Sequence, residues 1–328
     1  MCTAITYKTK DHYFGRNLDL EYSYKETVTI TPRNYPFSFR KAGTVNCHFA
    51  MIGMAYIAEG YPLYYDATNE KGLSMAGLHF PQNADYRPYC SGKDNITPFE
   101  LIPWILGRCS TVSQAEKMLE NMSLLNEDFS EALPLSPLHW IISDRERSIT
   151  LESVKEGIRV YDNPVGILTN NPPFAYHLFQ LNNYMRLTSG EAENTFAGKN
   201  DVLKLETYSR GMGAMGLPGD ASSMSRFVRA AFVKMNSVSG DSEIESVSQF
   251  FHILKSVEMQ RGCVQAGKEC YDITVYSSCC NTDRGIYYYA AYDNNRIYAV
   301  DMYRENLQGS TLIGYPLQKD QSFVYQNG

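Results

Sequence analysis

Residues 2–7 alternate in polarity, Lys10-Asp11-His12 supplies turn chemistry, and 13–20 is extended in character, which predicts that the chain begins with a β-hairpin. Cys2 and Arg16 then lie on adjacent strands. Thr97-Pro98-Phe99-Glu100 has the form of a capping box with Pro at the first helical position, and predicts a helix through Trp104 that Pro103 limits or kinks. Thr111-Val112-Ser113-Gln114 predicts another helix, running toward Met122. Two apolar runs, Leu138–Ser143 and 148–152, flank the charged Asp144-Arg145-Glu146-Arg147 and predict a second hairpin, with a third strand at 158–161. Apolar residues recur at helical spacing in 222–235 (Phe227, Ala230, Ala231) and in 242–259 (Ile244, Val247, Phe251, Leu254). The segments 286–292 and 297–302, joined by Asp293-Asn294-Asn295, predict a final hairpin. Strands at both ends with helices between, and no repeat, low-complexity tract or Gly/Ser-rich linker, predict one α+β domain over residues 1–328 rather than two.

Composition narrows the function classes. With 44% hydrophobic and 20% charged residues, the chain can bury a sizeable core, which excludes a disordered or collagen-like protein. A net charge of −6 without a Lys/Arg cluster removes the electrostatic ground for binding nucleic acid. The 25 Tyr against 2 Trp suit half-buried strands and pockets with apolar walls and hydrogen-bonding rims. No stretch approaches the ~20 apolar residues of a membrane helix, so no membrane partner is expected. The chain turns polar directly after Met1-Cys2-Thr3-Ala4-Ile5, unlike a secretory leader, which predicts a cytoplasmic address and reduced thiols. Its eight cysteines (Cys2, Cys47, Cys90, Cys109, Cys263, Cys270, Cys279, Cys280) form no C-x-x-C pair and have no His at zinc-finger spacing, which argues against a structural metal. A redox bridge between the neighbours Cys279 and Cys280 would be strained.

Cys2 carries the most distinctive chemistry. Removal of Met1 would place a thiol and a free α-amine on one residue, joining a nucleophile to a base. Their reference pKa values, about 8.5 and 7.7–8.0, make proton transfer between them cost about 1 kcal/mol or less. A nearby guanidinium would favour the thiolate and a carboxylate would hold the ammonium; Arg16 and Asp19 stand where the first hairpin could supply both.

Six blocks in order then show a resemblance: Met1-Cys2-Thr3; Phe14-Gly15-Arg16-Asn17-Leu18-Asp19; Asn69-Glu70-Lys71-Gly72-Leu73 with Ala76-Gly77-Leu78; Leu138-His139-Trp140; Gly166-Ile167-Leu168-Thr169-Asn170; and Gly216-Leu217-Pro218-Gly219-Asp220 with Ser225-Arg226-Phe227. Over essentially its whole length the chain resembles the choloylglycine hydrolase family, which includes bile salt hydrolases and penicillin V acylases. The resemblance implies the N-terminal nucleophile hydrolase fold, a four-layer αββα sandwich of two antiparallel sheets, commonly assembled as a homotetramer. It further implies Cys2 as nucleophile with its own α-amine as proton acceptor and donor, Arg16 beside the thiol, and Asp19 anchoring the amine. Asn170 and the backbone N–H of His79 would meet the oxyanion, and Arg226 would complete the polar cluster.

His79 departs from the family, whose bile salt hydrolases usually carry Asn there and whose penicillin V acylases usually carry Tyr. An imidazole can hydrogen-bond like the one or pack like the other, and a loop histidine without a substrate role is an equal reading. The family's acyl-pocket positions fall on Leu18, Tyr65, Phe129, Leu133 and Leu138, all apolar or amphipathic. The implied substrate is a glycine- or taurine-conjugated bile salt; penicillin V is the second reading, and a non-catalytic binding protein or a papain-type protease, for which no signature stands, are further alternatives. No cofactor or metal is implied.

Overall fold

The structure, a computed structural model, describes residues 1–196 and 203–327. It begins with the expected hairpin, Cys2–Lys8 against His12–Leu20, with Cys2 opposite Leu18 and Ala4 opposite Arg16. Ile167–Leu168 pairs with the outer side of Cys2–Lys8, and Ile273–Asn281, Ile286–Ala291 and Asn294–Asp301 continue from His12–Leu20, all antiparallel. Gly15 is required by close approach: a Cβ there would lie 2.0 Å from the Ser278 carbonyl oxygen of the adjoining strand. A second antiparallel sheet runs Gly157–Asp162, Ser148–Val154, Leu138–Ser143, Ser74–His79, Tyr61–Asn69, Met51–Ala58, Thr27–Thr31 and Ile313–Pro316.

The second sheet faces the first with one set of alternating side chains and a helical layer with the other. Ile52, Met54, Ala76, Leu78 and Ile141 join the core that holds Cys2, Phe14 and Leu18. Met51, Met75, Trp140 and Ile142, of opposite parity, pack with Leu101, Ile105, Val112 and Leu119 of the helices Leu101–Leu106 and Val112–Glu120. On the far side of the first sheet lie Ser223–Asn236 and Glu243–Lys255, through Phe227, Ala231, Phe250 and Leu254. The order of layers is therefore helix, sheet, sheet, helix, as the resemblance implied.

The local signals for three of these four helices hold. Thr111 and Ser222 cap their helices through side-chain oxygens, and Ser242 with Glu245 forms a full capping box. The Thr97–Glu100 signal is corrected. The Glu100 carboxylate does accept from the Thr97 N–H at 3.0 Å, but Thr97 Oγ1 is buried without a partner among the described residues, and residues 98–100 form a turn. The helix starts at Leu101, so Pro103 falls in its first turn, where the missing N–H costs nothing. No described helix is long and apolar enough to cross a membrane.

Candidate active site

The hairpin delivers Cys2 and Arg16 to the boundary between the two sheets and Asp19, of opposite parity, to the face toward the helices Ser223–Asn236 and Glu243–Lys255, all three buried. Arg16 sits where two strands of the second sheet part. Pairing of Tyr61–Asn69 with Ser74–His79 ends at Asp66 opposite Ala76, and the next two carbonyls, of Tyr65 and Gly77, both accept from Arg16 Nη1, at 2.9 and 2.6 Å. Its Nε and Nη2 have no partner among the described residues. Burial opposes the charge of Arg16, but the adjacent Cys2, Tyr276 and Asp66 outweigh it and raise the group above its ordinary value.

Arg226 reaches Cys2 from the opposite side, from the helix Ser223–Asn236, and is fully buried. Its Nη1 donates to the Cys2 carbonyl and to Thr3 Oγ1, its Nη2 to Asn170 Oδ1 at 2.7 Å, and its Nε to the Ala221 carbonyl at 3.0 Å. Burial lowers its pKa, opposed by Asp19 and Cys2, without bringing a guanidinium near neutrality.

Asn170 lies just beyond the short strand Ile167–Leu168. Its Oδ1 accepts from the Cys2 N–H at 2.8 Å as well as from Arg226, and two donors converging on one atom fix it as the oxygen. The Nδ2 therefore points the other way and donates to the His79 carbonyl at 2.7 Å. Phe80 N–H bonds the Pro137 carbonyl, which makes His79 and Leu138 a non-hydrogen-bonded pair. The backbone groups of His79 consequently turn from Leu138 toward Asn170, while its imidazole is exposed.

Asp19 holds the clearest vacancy in the hydrogen bonding. Its Oδ1 accepts from Thr274 Oγ1 at 2.6 Å, whereas Oδ2 is buried with no partner among the described residues. Burial raises its pKa, against the pull of Arg226 and the terminal ammonium. With Met1 in place the Cys2 nitrogen has one hydrogen, spent on Asn170; a free ammonium there has two more to offer such an oxygen.

The polar residues singled out in the sequence thus converge: Cys2, Arg16, Asp19, Asn170, Arg226 and the backbone of His79. Of the apolar positions, Leu18 and Tyr65 pack in the cluster that holds Cys2. Leu138 pairs with His79 but packs on the other core. Leu133 stands on the loop before it, its backbone bonded to Ser130, and Phe129 packs on Tyr61 and Phe99 under Arg40. Sequence reasoning missed Asp66, a buried carboxylate that accepts from Tyr276 and Tyr287 hydroxyls, each at 2.7 Å, and from Ser278 at 3.3 Å. Its field on Arg16 means that two buried guanidiniums are matched by two buried carboxylates, Asp19 and Asp66. Nothing in the run Tyr64-Tyr65-Asp66 signals that role.

Residues 2–315 match the model of the linear amide C–N hydrolases, choloylglycine hydrolase family. The chain is 56% identical, over the full length of both proteins, to the bile salt hydrolase/transferase of Lactiplantibacillus plantarum. Its fold superposes on a crystal structure of a mutant conjugated bile acid hydrolase from Clostridium perfringens with a TM-score of 0.91 at 37% identity, covering 100% of both chains. Penicillin V acylase from Agrobacterium tumefaciens matches with a TM-score of 0.77 over 99% of this chain and 94% of that one, at 17% identity, a likeness of fold alone.

Proposed function

Because the chain belongs to the linear amide C–N hydrolases of the choloylglycine hydrolase family, we propose that it hydrolyses the amide bond joining a bile acid to glycine or taurine, through a thioester on Cys2. One observation carries the mechanism: a buried thiol beside Arg16, whose Nε and Nη2 have no partner among the described residues, near the buried Asp19 carboxylate, one oxygen of which is likewise without a partner among them. With Met1 removed, the Cys2 α-amine takes the thiol proton and becomes an ammonium that Asp19 holds; Arg16 stabilises the thiolate. Attack on the amide carbon forms the C–S bond and places negative charge on oxygen, where the second N–H of Asn170 Nδ2 and the His79 N–H receive it. The ammonium returns its proton to the leaving nitrogen and the C–N bond breaks. The amine then deprotonates water, which attacks the thioester; the C–S bond breaks, bile acid leaves and the thiol recovers its proton. Arg226 holds the Cys2 carbonyl and Asn170 Oδ1, so nucleophile and oxyanion donor share one support.

Leu18, Tyr65, Phe129, Leu133 and Leu138 are proposed to line the acyl side of the cleft. The whole chain is read as one domain. All eight cysteines are free, which suits a reducing, cytoplasmic location. Large apolar side chains stand exposed at Tyr176, Phe179, Met185, Tyr208 and Met215, which supports their burial between subunits of a homotetramer. The deciding assay is release of glycine from glycocholate and taurine from taurocholate by the purified protein and by Cys2→Ala. Release by the parent that vanishes in the variant is expected; no release by the parent, with phenoxyacetate freed from penicillin V instead, would overturn the substrate assignment.

A further inference from the structure

His139 and Glu152 are both wholly buried, on the neighbouring strands Leu138–Ser143 and Ser148–Val154, and the reaction outlined above uses neither. His139 Nδ1 lies 3.1 Å from Glu152 Oε1, and Nε2 lies 2.9 Å from the Thr169 carbonyl oxygen. A carbonyl can only accept, so Nε2 carries a hydrogen, and the Nδ1···Oε1 contact holds one more between its two atoms. The imidazole also stacks on Phe80, with centroids 4.2 Å apart and planes within 5° of parallel. Thr169 precedes Asn170, and Phe80 follows His79. One ring therefore grips both chain segments that bring N–H donors to the oxyanion, the first by a hydrogen bond and the second by its face.

We propose, resting on the hydrolase assignment above, that His139, oriented by Glu152, is a positioning residue that keeps the Asn170 amide and the His79 N–H aimed at one point. Glu152 is tied in turn to the helix after Asn170, since Oε1 accepts from the Phe174 N–H at 2.9 Å. Other partners grip the segment at different atoms: His177 Nε2 donates to the Asn170 carbonyl at 2.9 Å, and Ser223 Oγ accepts from the Asn170 N–H at 2.8 Å. His139 alone among these touches the Phe80 side as well. Burying two ionisable groups costs desolvation that apolar residues of the same volume would avoid, so the pair is better explained by the orientation it imposes than by stability.

The test separates oxyanion geometry from the nucleophile. His139→Phe keeps a ring against Phe80 and loses the hydrogen bond to Thr169; Glu152→Gln keeps a polar partner for Nδ1. Expected for His139→Phe is a fall in kcat on glycocholate of about 10- to 100-fold with KM within about threefold, the scale of a misplaced catalytic group. Glu152→Gln stays within about fivefold of the parent because hydrogen bonding survives. Alkylation of Cys2 by iodoacetamide, a displacement that develops no oxyanion, proceeds at the parent rate in both. If His139→Phe does not fold, His139→Gln, which loses the stack, carries the same test with a fall of about fivefold or more expected. Parent-like kcat in the histidine variant, or alkylation that slows in step with kcat, overturns the proposal. A parent that releases no amino acid sinks the hydrolase assignment and this inference together, whereas an active parent matched by an equally active histidine variant sinks the inference alone.

Discussion

Replacing Asn170 separates two jobs that one amide performs. Its Nδ2 faces the His79 backbone, where the oxyanion develops, and its Oδ1 accepts from the Cys2 nitrogen and the buried Arg226 guanidinium. Asn170→Ala removes both. Loss of one oxyanion donor is worth about 2.7–4 kcal/mol in the transition state, so kcat should fall by roughly 10²–10³ with KM little changed. The same variant strands two buried donors, one of them charged, which costs stability on the order of 3 kcal/mol. Asn170→Asp divides the effects: a carboxylate oxygen still accepts from Cys2 and Arg226, but no N–H remains and a like charge faces the oxyanion. It should therefore unfold later in urea than Asn170→Ala yet show a loss in kcat of at least ~10³. Amino-acid release from glycocholate gives the rate, and equilibrium urea unfolding gives the stability. An Asn170→Asp enzyme within tenfold of the parent kcat would refute the donor assignment, whatever its stability.

Cys2→Ala should abolish turnover, and intact mass of active enzyme should show Met1 absent, because a retained methionine turns the essential amine into an amide; full activity with Met1 present would exclude the α-amine as base. His12 and His177 are both held down to about 4, chiefly by burial. The unfolded chain takes up protons near 6.5 that the folded one refuses, so each histidine removes stability as pH falls from about 6.5 toward 4, on the order of 3 kcal/mol when complete. Urea midpoints at pH 7 and 4.5 should drop accordingly, less so in His12→Gln, and a midpoint that rose on acidification would contradict the assignment. Gly15→Ala must push the first hairpin off Ser278, since its Cβ would lie 2.0 Å from that carbonyl oxygen. A loss of about 3 kcal/mol or more is expected, and an unchanged melting temperature would show that the strands adjust freely.

How far the molecule was legible in its sequence follows the range of the forces involved. The first and last hairpins, the strands around Asp144-Arg145-Glu146-Arg147 and three of the four layer-forming helices were readable because turn residues, caps and apolar spacing act within a few positions. The strands Met51–Ala58, Tyr61–Asn69, Ser74–His79 and Ile273–Asn281 were not read. Over much of their length they are covered on both faces, so a regular polar/apolar alternation is missing: Met51–Ala58 is nearly all apolar, while the buried residues of the other three include Thr, Ser, Asn or Asp. At Thr97–Glu100 the local signal was present and still misplaced the helix start, because Glu100 caps a turn rather than the helix itself.

The sequence by itself determined the chemistry that Cys2 can perform, the hairpin that brings it to Arg16 and Asp19, and, through the order of its motifs, the family. Tertiary structure alone decided that Asn170 would bind the Cys2 nitrogen from 168 positions away and Arg226 its carbonyl from 224. It also decided that Asp66 would balance Arg16 and that His139 would lie beneath both donor segments. Those contacts depend on how helices and two sheets stack, which is set by the burial of whole faces. No spacing along the chain encodes the distance between layers.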